Sequence, residues 1–97
     1  MSCYFLAVVD KHDRQRYADY SKANVRLLSG LDVKVLAVTD DVNVHEGEFD
    51  ATTVVLLEFP DDREFRRWFD SEQYSAVKPI RLESSTAKFA VTFGEDA

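Results

Sequence analysis

An arginine that follows two amphipathic aromatics is the sharpest chemical signal in this sequence. Arg81 comes after Trp68 and Tyr74, and a guanidinium beside such rings is suited to line a pocket and hold a carboxylate or enolate through its fork of N–H donors. Tyr17 and Tyr20 stand about one helical turn apart upstream, where their hydroxyls could reach a cleft between helix and sheet. Three more residues are candidates for a general base. Glu58 is the single charge in an apolar stretch, and poor solvation there would raise its pKa toward the range a base needs. Asp10 closes the first apolar stretch, a position where ligand-facing polar groups occur. His45 stands beside Glu46, and a carboxylate can orient an imidazole as a base.

Each of these residues also has a structural role open to it. Trp68, Tyr17 and Tyr20 have the spacing of core aromatics, Tyr74 can serve as a packing cap, and Arg81 can pair with Glu58 or Asp70. Glu58 can equally sit on a solvated strand edge, and Asp10 can start a turn.

No metal or cofactor pattern accompanies these groups. His12 and His45 are the only histidines and have no ligand spacing between them, while Cys3 is the single cysteine and lacks a Cys-x-x-Cys partner. One chain therefore forms neither a disulfide nor a cysteine-based metal cage, and a site without metal or cofactor is expected. The net charge of −6 repels phosphate backbones and anionic lipid surfaces. The densest basic cluster, Arg63, Arg66 and Arg67, is interleaved with Asp61, Asp62, Glu64 and Asp70, as on the solvated face of a helix. Neither nucleic acid nor membrane is an expected partner. The apolar run over residues 4–9 is too short for a signal segment or a membrane span, which points to a cytoplasmic protein.

The elements that would position these residues are legible in the period of the pattern. Residues 4–9 are apolar on both alternating sets, as a strand buried on two faces requires. Asp13 is a plausible cap for a helix carrying Tyr17, Tyr20, Val25, Leu27, Leu28 and Leu31, with Gly30 at its end. Residues 33–38 read as a second strand, interrupted at 39–41 by a bulge or short hairpin before an alternating pattern resumes at 42–45. Residues 53–59 form a third strand closed by Pro60, and Asp61 with Glu64 makes a capping-box pattern ahead of a helix bearing Phe65, Trp68 and Phe69. Asp70-Ser71 starts a break, Tyr74 and Val77 continue a helical turn that Pro79 limits, and residues 87–93 make the last strand.

This order is an α+β, ferredoxin-like βαββαβ arrangement: an antiparallel four-stranded sheet with two helices on one face, in one domain over residues 1–97. Because the first and third strands are apolar toward both faces, something must cover the face the helices leave open. A second copy, packed sheet against sheet by two-fold symmetry, is the simplest cover, so a homodimer through the open sheet face is expected.

The segments Glu58-Phe59-Pro60, then Trp68-Phe69-Asp70-Ser71-Glu72-Gln73-Tyr74, then Arg81 resemble the signature of a small bacterial and archaeal family catalogued as domain of unknown function thirteen-thirty. Glu46-Gly47 resembles that family's Glu-Gly before the third strand, while Gly30-Leu31 and Thr39-Asp40-Asp41 depart from its glycine positions. The resemblance implies the dimeric α/β-barrel superfamily, whose members include cofactor-free monooxygenases, isomerases and haem-dependent enzymes. With no histidine after position 45, a haem role is disfavoured.

The leading functional reading is a dimer that binds a small anionic or enolisable molecule, anchored by Arg81 between aromatic walls. A catalytic version would be cofactor-free proton transfer or oxygenation with Glu58, Asp10 or His45 as base. The alternative is a non-catalytic ligand-sensing or interaction module. RNA binding ranks last, because the third strand offers only Phe59 for stacking and the net charge opposes contact.

Overall fold

The stretch that is apolar on both alternating sets becomes an inner strand. In the computed structural model, which describes residues 2–94, this is β1, Cys3–Lys11. It lies between β3, Thr53–Phe59, and β4, Ser85–Gly94, with β2, Lys34–Thr39, outside β3. Every pairing is antiparallel, and the order across the sheet is β2-β3-β1-β4.

The helices start where their caps place them. Helix α1, Arg14–Leu28, is capped by the Asp13 carboxylate, which accepts the Arg16 backbone N–H at 3.0 Å. Helix α2, Asp62–Phe69, is capped by Asp61, which accepts from the Glu64 backbone N–H at 2.8 Å. The capping box does not close in the expected way. The Glu64 carboxylate instead accepts the Asp32 backbone N–H at 3.0 Å, fastening α2 to the connection between α1 and β2.

Among the described residues three helices are present where two are expected, so the order is βαββααβ. Ser71 is the reason. Its extended backbone (φ −73°, ψ 153°) cannot continue α2; its hydroxyl donates to the Trp68 carbonyl at 2.7 Å and accepts the Tyr74 backbone N–H at 3.0 Å. One serine thus ends a helix and caps the next, α3, Glu72–Ser84. Pro79 lies inside α3 and does not limit it. Proline deprives the Ser75 carbonyl of its helical donor, and because both residues are exposed, water can serve that carbonyl instead.

The expected strand pairing of residues 42–45 is absent, and residues 40–52 form a loop. The bulge expected at 39–41 lies inside β2, where the register shifts between Val35 and Ala37. Its effect is geometric: Val35 opposes Leu57 and Val38 opposes Val55, so two residues three apart face the same side of the sheet.

One face of the sheet carries the core. Cys3, Phe5, Ala7 and Val9 of β1 and Leu57 and Phe59 of β3 pack against Tyr17, Tyr20 and Leu28 of α1, Trp68 of α2 and Tyr74 of α3. All three helices therefore share that face. Trp68 is the hub: its ring meets Phe5 edge-on at 5.4 Å, stacks with Phe59 at 5.8 Å and lies 4.6 Å from Tyr74, and such pairs contribute about 0.5–1.5 kcal/mol each beyond their buried area. The opposite face carries Tyr4, Leu6 and Val8 beside Phe93, Val91 and Phe89 in register. None of the described helices covers it, the three β4 residues are about half exposed, and the described residues measure only 16 Å in their thinnest direction.

Candidate functional site

Between α1, the sheet and α3 lies a cavity of about 110 Å³. Its floor is Phe5, Ala7 and Val9 of β1 with Val55 and Leu57 of β3; α1 supplies Tyr17, Tyr20, Ser21, Asn24 and Leu28, and the remaining wall includes Trp68, Tyr74 and Arg81. All four residues expected to bind a ligand, Arg81, Trp68, Tyr74 and Tyr20, thus line one space. The spacing that brings them there is helical. Tyr74 and Arg81 are two turns apart on α3, and Tyr17, Tyr20, Ser21 and Asn24 lie on the sheet-facing side of α1.

Arg81 is the only charged residue among the described lining residues. Its Nε is buried and has no hydrogen-bond partner among the described residues. Neither acid expected to pair with it does so: Glu58 accepts from the Ser2 hydroxyl at 2.6 Å, and Asp70 lies 3.9 Å from Arg66. Among the described residues Arg81 makes no ion pair. Its backbone carbonyl accepts the Ser85 hydroxyl at 2.8 Å, which anchors the end of α3 independently of the side chain.

Around it the polar groups are neutral donors and acceptors. The Tyr20 and Tyr74 hydroxyls are 2.8 Å apart. One donates to the other, and since each phenol has one proton, one O–H of the pair is left to point elsewhere. Burial pushes the Tyr20 hydroxyl far above the ordinary tyrosine range, and the neighbouring Tyr74 pushes the same way. Burial also raises Tyr17, opposed by the Arg81 charge. Both hydroxyls keep their protons at neutral pH. The Trp68 indole N–H donates to the Asn24 side-chain carbonyl at 2.8 Å, which fixes the ring across the cavity wall.

Beside Tyr17 a second polar cluster fastens the start of the 40–52 loop. The Asp40 carboxylate accepts from Thr53 at 2.7 Å, Arg14 at 2.9 Å and Lys11 at 3.4 Å. The Thr53 hydrogen bond, followed by that from Arg14, holds its pKa down at about 2. The Lys11 ammonium also sits 4.9 Å from the Tyr17 ring centroid.

The three candidate bases lie elsewhere. Glu58 is half-buried on the helix-free face, opposite Tyr4 in register; Asp10 pairs with Thr86 at the far end of β1; His45 is exposed in the 40–52 loop. None of them lines the cavity. Two lining residues, Ser21 and Asn24, go unremarked in the sequence reading. Their signal is present: they are the polar positions in the stripe Tyr17, Tyr20, Ser21, Asn24, Leu28, where a purely structural helix would be apolar. No group of three or more His, Cys, Asp or Glu side chains placed to hold a metal occurs among the described residues, and no helix among them is long and apolar enough to cross a membrane.

The model of the family described as "Domain of unknown function (DUF1330)" matches residues 2–94, and the chain belongs to that family. No curated protein is similar to it in sequence. Among solved structures it is similar to the RPA0582 protein of unknown function from Rhodopseudomonas palustris, with a TM-score of 0.74 at 15% identity over 95% of this chain and 78% of that one. It is also similar to a dimeric ferredoxin-like protein of unknown function from Thermobifida fusca, with a TM-score of 0.68 at 20% identity over 96% and 90% of the two chains. A third likeness is to SnoaB, a cofactor-independent oxygenase from Streptomyces nogalater, with a TM-score of 0.61 at 14% identity over 99% and 94%. At these identities the likenesses establish the ferredoxin-like fold.

Proposed function

We propose that this member of the DUF1330 family binds a small anionic molecule in the cavity between α1, α3 and the sheet, with Arg81 as its anchor. The observation that carries this reading is the buried Arg81 Nε, unpartnered in a wall that is otherwise apolar or neutral. A buried donor without a partner costs about 1–3 kcal/mol, and a carboxylate supplies the missing acceptor through a charge-assisted bond. The spare phenolic proton of the Tyr20 and Tyr74 pair offers a second.

The working form in this proposal is a homodimer of one-domain protomers that meet through the helix-free sheet face. The half-exposed Phe89, Val91 and Phe93 beside Leu6 and Val8 support it, as does the dimeric state of the Thermobifida relative. An unpaired apolar face of this extent is otherwise a liability in water.

A catalytic version, cofactor-free proton transfer or oxygenation of an enolisable substrate, draws support from the fold shared with SnoaB. It needs a proton acceptor at the ligand. Within one protomer Glu58, Asp10 and His45 stand outside the cavity, and Tyr17 and Tyr20 hold their protons. The geometry therefore supports binding, and with it a ligand-holding or sensing role, further than it supports turnover.

Thermal unfolding of wild type and Arg81→Gln, each titrated with butanoate and benzoate, tests the reading. A ligand at a hundred times its Kd adds about 2.7 kcal/mol, which at this chain length raises the midpoint by roughly 10 °C or more. Wild type should show a saturating rise and Arg81→Gln none. Equal rises in both, or none in either across small carboxylates, would remove Arg81 as an anion anchor.

A further inference from the structure

Exposure changes along the cavity in one direction. At its inner end Trp68 and Tyr74 are 2% and 1% exposed, Tyr20 is 6% exposed, and the Arg81 Nε is buried. At its outer end Val25, Val35 and Val38 are 62%, 55% and 56% exposed, although all three line the same space. The cause is the edge of the sheet. The bulge in β2 turns both Val35 and Val38 to the helix side, and there α1 leaves them largely open to solvent. The cavity thus holds its one cation and its phenols at the enclosed end of a largely apolar lining and is apolar at its mouth, the reverse of an opening that admits a fully hydrophilic ligand.

From this gradient we infer that the ligand is an amphiphilic monocarboxylic acid, bound head first at Arg81 with its apolar tail lying over Val25, Val35 and Val38 toward solvent. The inference rests on the reading of the cavity as an anion site. One charge on the head follows from the lining, where Arg81 is the single charged residue described. A second negative charge, as on a phosphate or dicarboxylate, would lie in an apolar wall with no cation to balance it. The tail follows from the three valines, whose exposed surface a hydrocarbon chain would take out of water.

The test is calorimetric titration of the full chain with butanoate, hexanoate and octanoate, with hexan-1-ol as a control that keeps the tail and removes the charge. Affinity should rise by about two- to fourfold per added methylene, the factor expected for a chain partly to fully covered, and hexan-1-ol should bind far more weakly than hexanoate. In the neutral variant Val35→Ser/Val38→Ser, at positions exposed enough to keep the fold, the increment per methylene should shrink. Equal affinity across the three acids, with binding still lost in Arg81→Gln, would overturn the tail-out ligand and leave the anion site standing. Absence of binding for all three acids would remove both. If the serine variant changes the mass of the protein in solution but not the ligand series, the valines cover a second copy, and the inference falls.

Discussion

If Arg81 is an anion anchor, it costs the ligand-free fold stability, and removing it should stabilise that fold while abolishing binding. Arg81→Met keeps an unbranched stem as far as the Nε position and deletes the buried Nε donor that has no partner among the described residues. Relief of an unpaired buried donor is worth about 1–3 kcal/mol. Against it stands the favourable position of a cation in the last turn of α3, worth about 0.3–1 kcal/mol. The hydrogen bonds that Ser84 and Ser85 make at this helix end use backbone carbonyls and survive the change. The net gain is therefore about 1 kcal/mol, or some 4–8 °C in midpoint at this chain length. Urea and thermal unfolding, each with and without hexanoate, measure it. The expected pattern is a higher midpoint than wild type without ligand, an unchanged slope in urea, and no response to hexanoate. Should Arg81→Met be less stable than wild type in the empty protein by 1 kcal/mol or more, the arginine is holding the helices together and its unpartnered nitrogen signals no ligand.

Tyr20→Phe leaves the buried Tyr74 hydroxyl without its 2.8 Å partner and should cost about 1–2 kcal/mol in urea unfolding, most of which Tyr20→Phe/Tyr74→Phe should recover. The Asp40 carboxyl, held down at about 2 chiefly by Thr53 and then by Arg14, adds stability above its ordinary value of 3.8 that disappears as pH falls from about 4 to about 2. Urea midpoints at pH 5, 3 and 2 should therefore show wild type losing its advantage over Asp40→Asn through that window. Equal pH profiles for the two proteins would mean the cluster at the start of the 40–52 loop is not formed in solution. Leu6→Glu, a charge in the middle of the helix-free face beside Val91, should halve the mass in sedimentation velocity while leaving helix content unchanged. A mass equal to wild type would remove the helix-free face as a dimer contact.

Much of the fold could be read from local pattern because burial on two faces leaves a plain mark. Residues 4–9 and 53–59 became the two inner strands, and Asp13 and Asp61 became helix caps. What escaped depends on contacts that no window of sequence contains. Ser71 serves two helices at once through one hydroxyl, and the β2 bulge lies in Lys-Val-Leu-Ala-Val-Thr, which carries no glycine to announce it. Arg81, Trp68, Tyr74 and Tyr20 line one cavity, Tyr74 and Arg81 through their two-turn spacing on α3. Glu58 and Asp10 do not join them, for a reason that alternation contains: Phe59 and Val9 face the helices, so their neighbours face away.

The most direct measurement is of the Arg81 Nε–H itself, by nitrogen–proton correlation NMR on the full chain, with its signal identified by its absence from Arg81→Lys. Titration with hexanoate should move that one arginine signal downfield and saturate with the affinity found by calorimetry, as a new charge-assisted hydrogen bond requires. If the signal stays in place while hexanoate binds, the anion sits elsewhere and Arg81 is not its anchor.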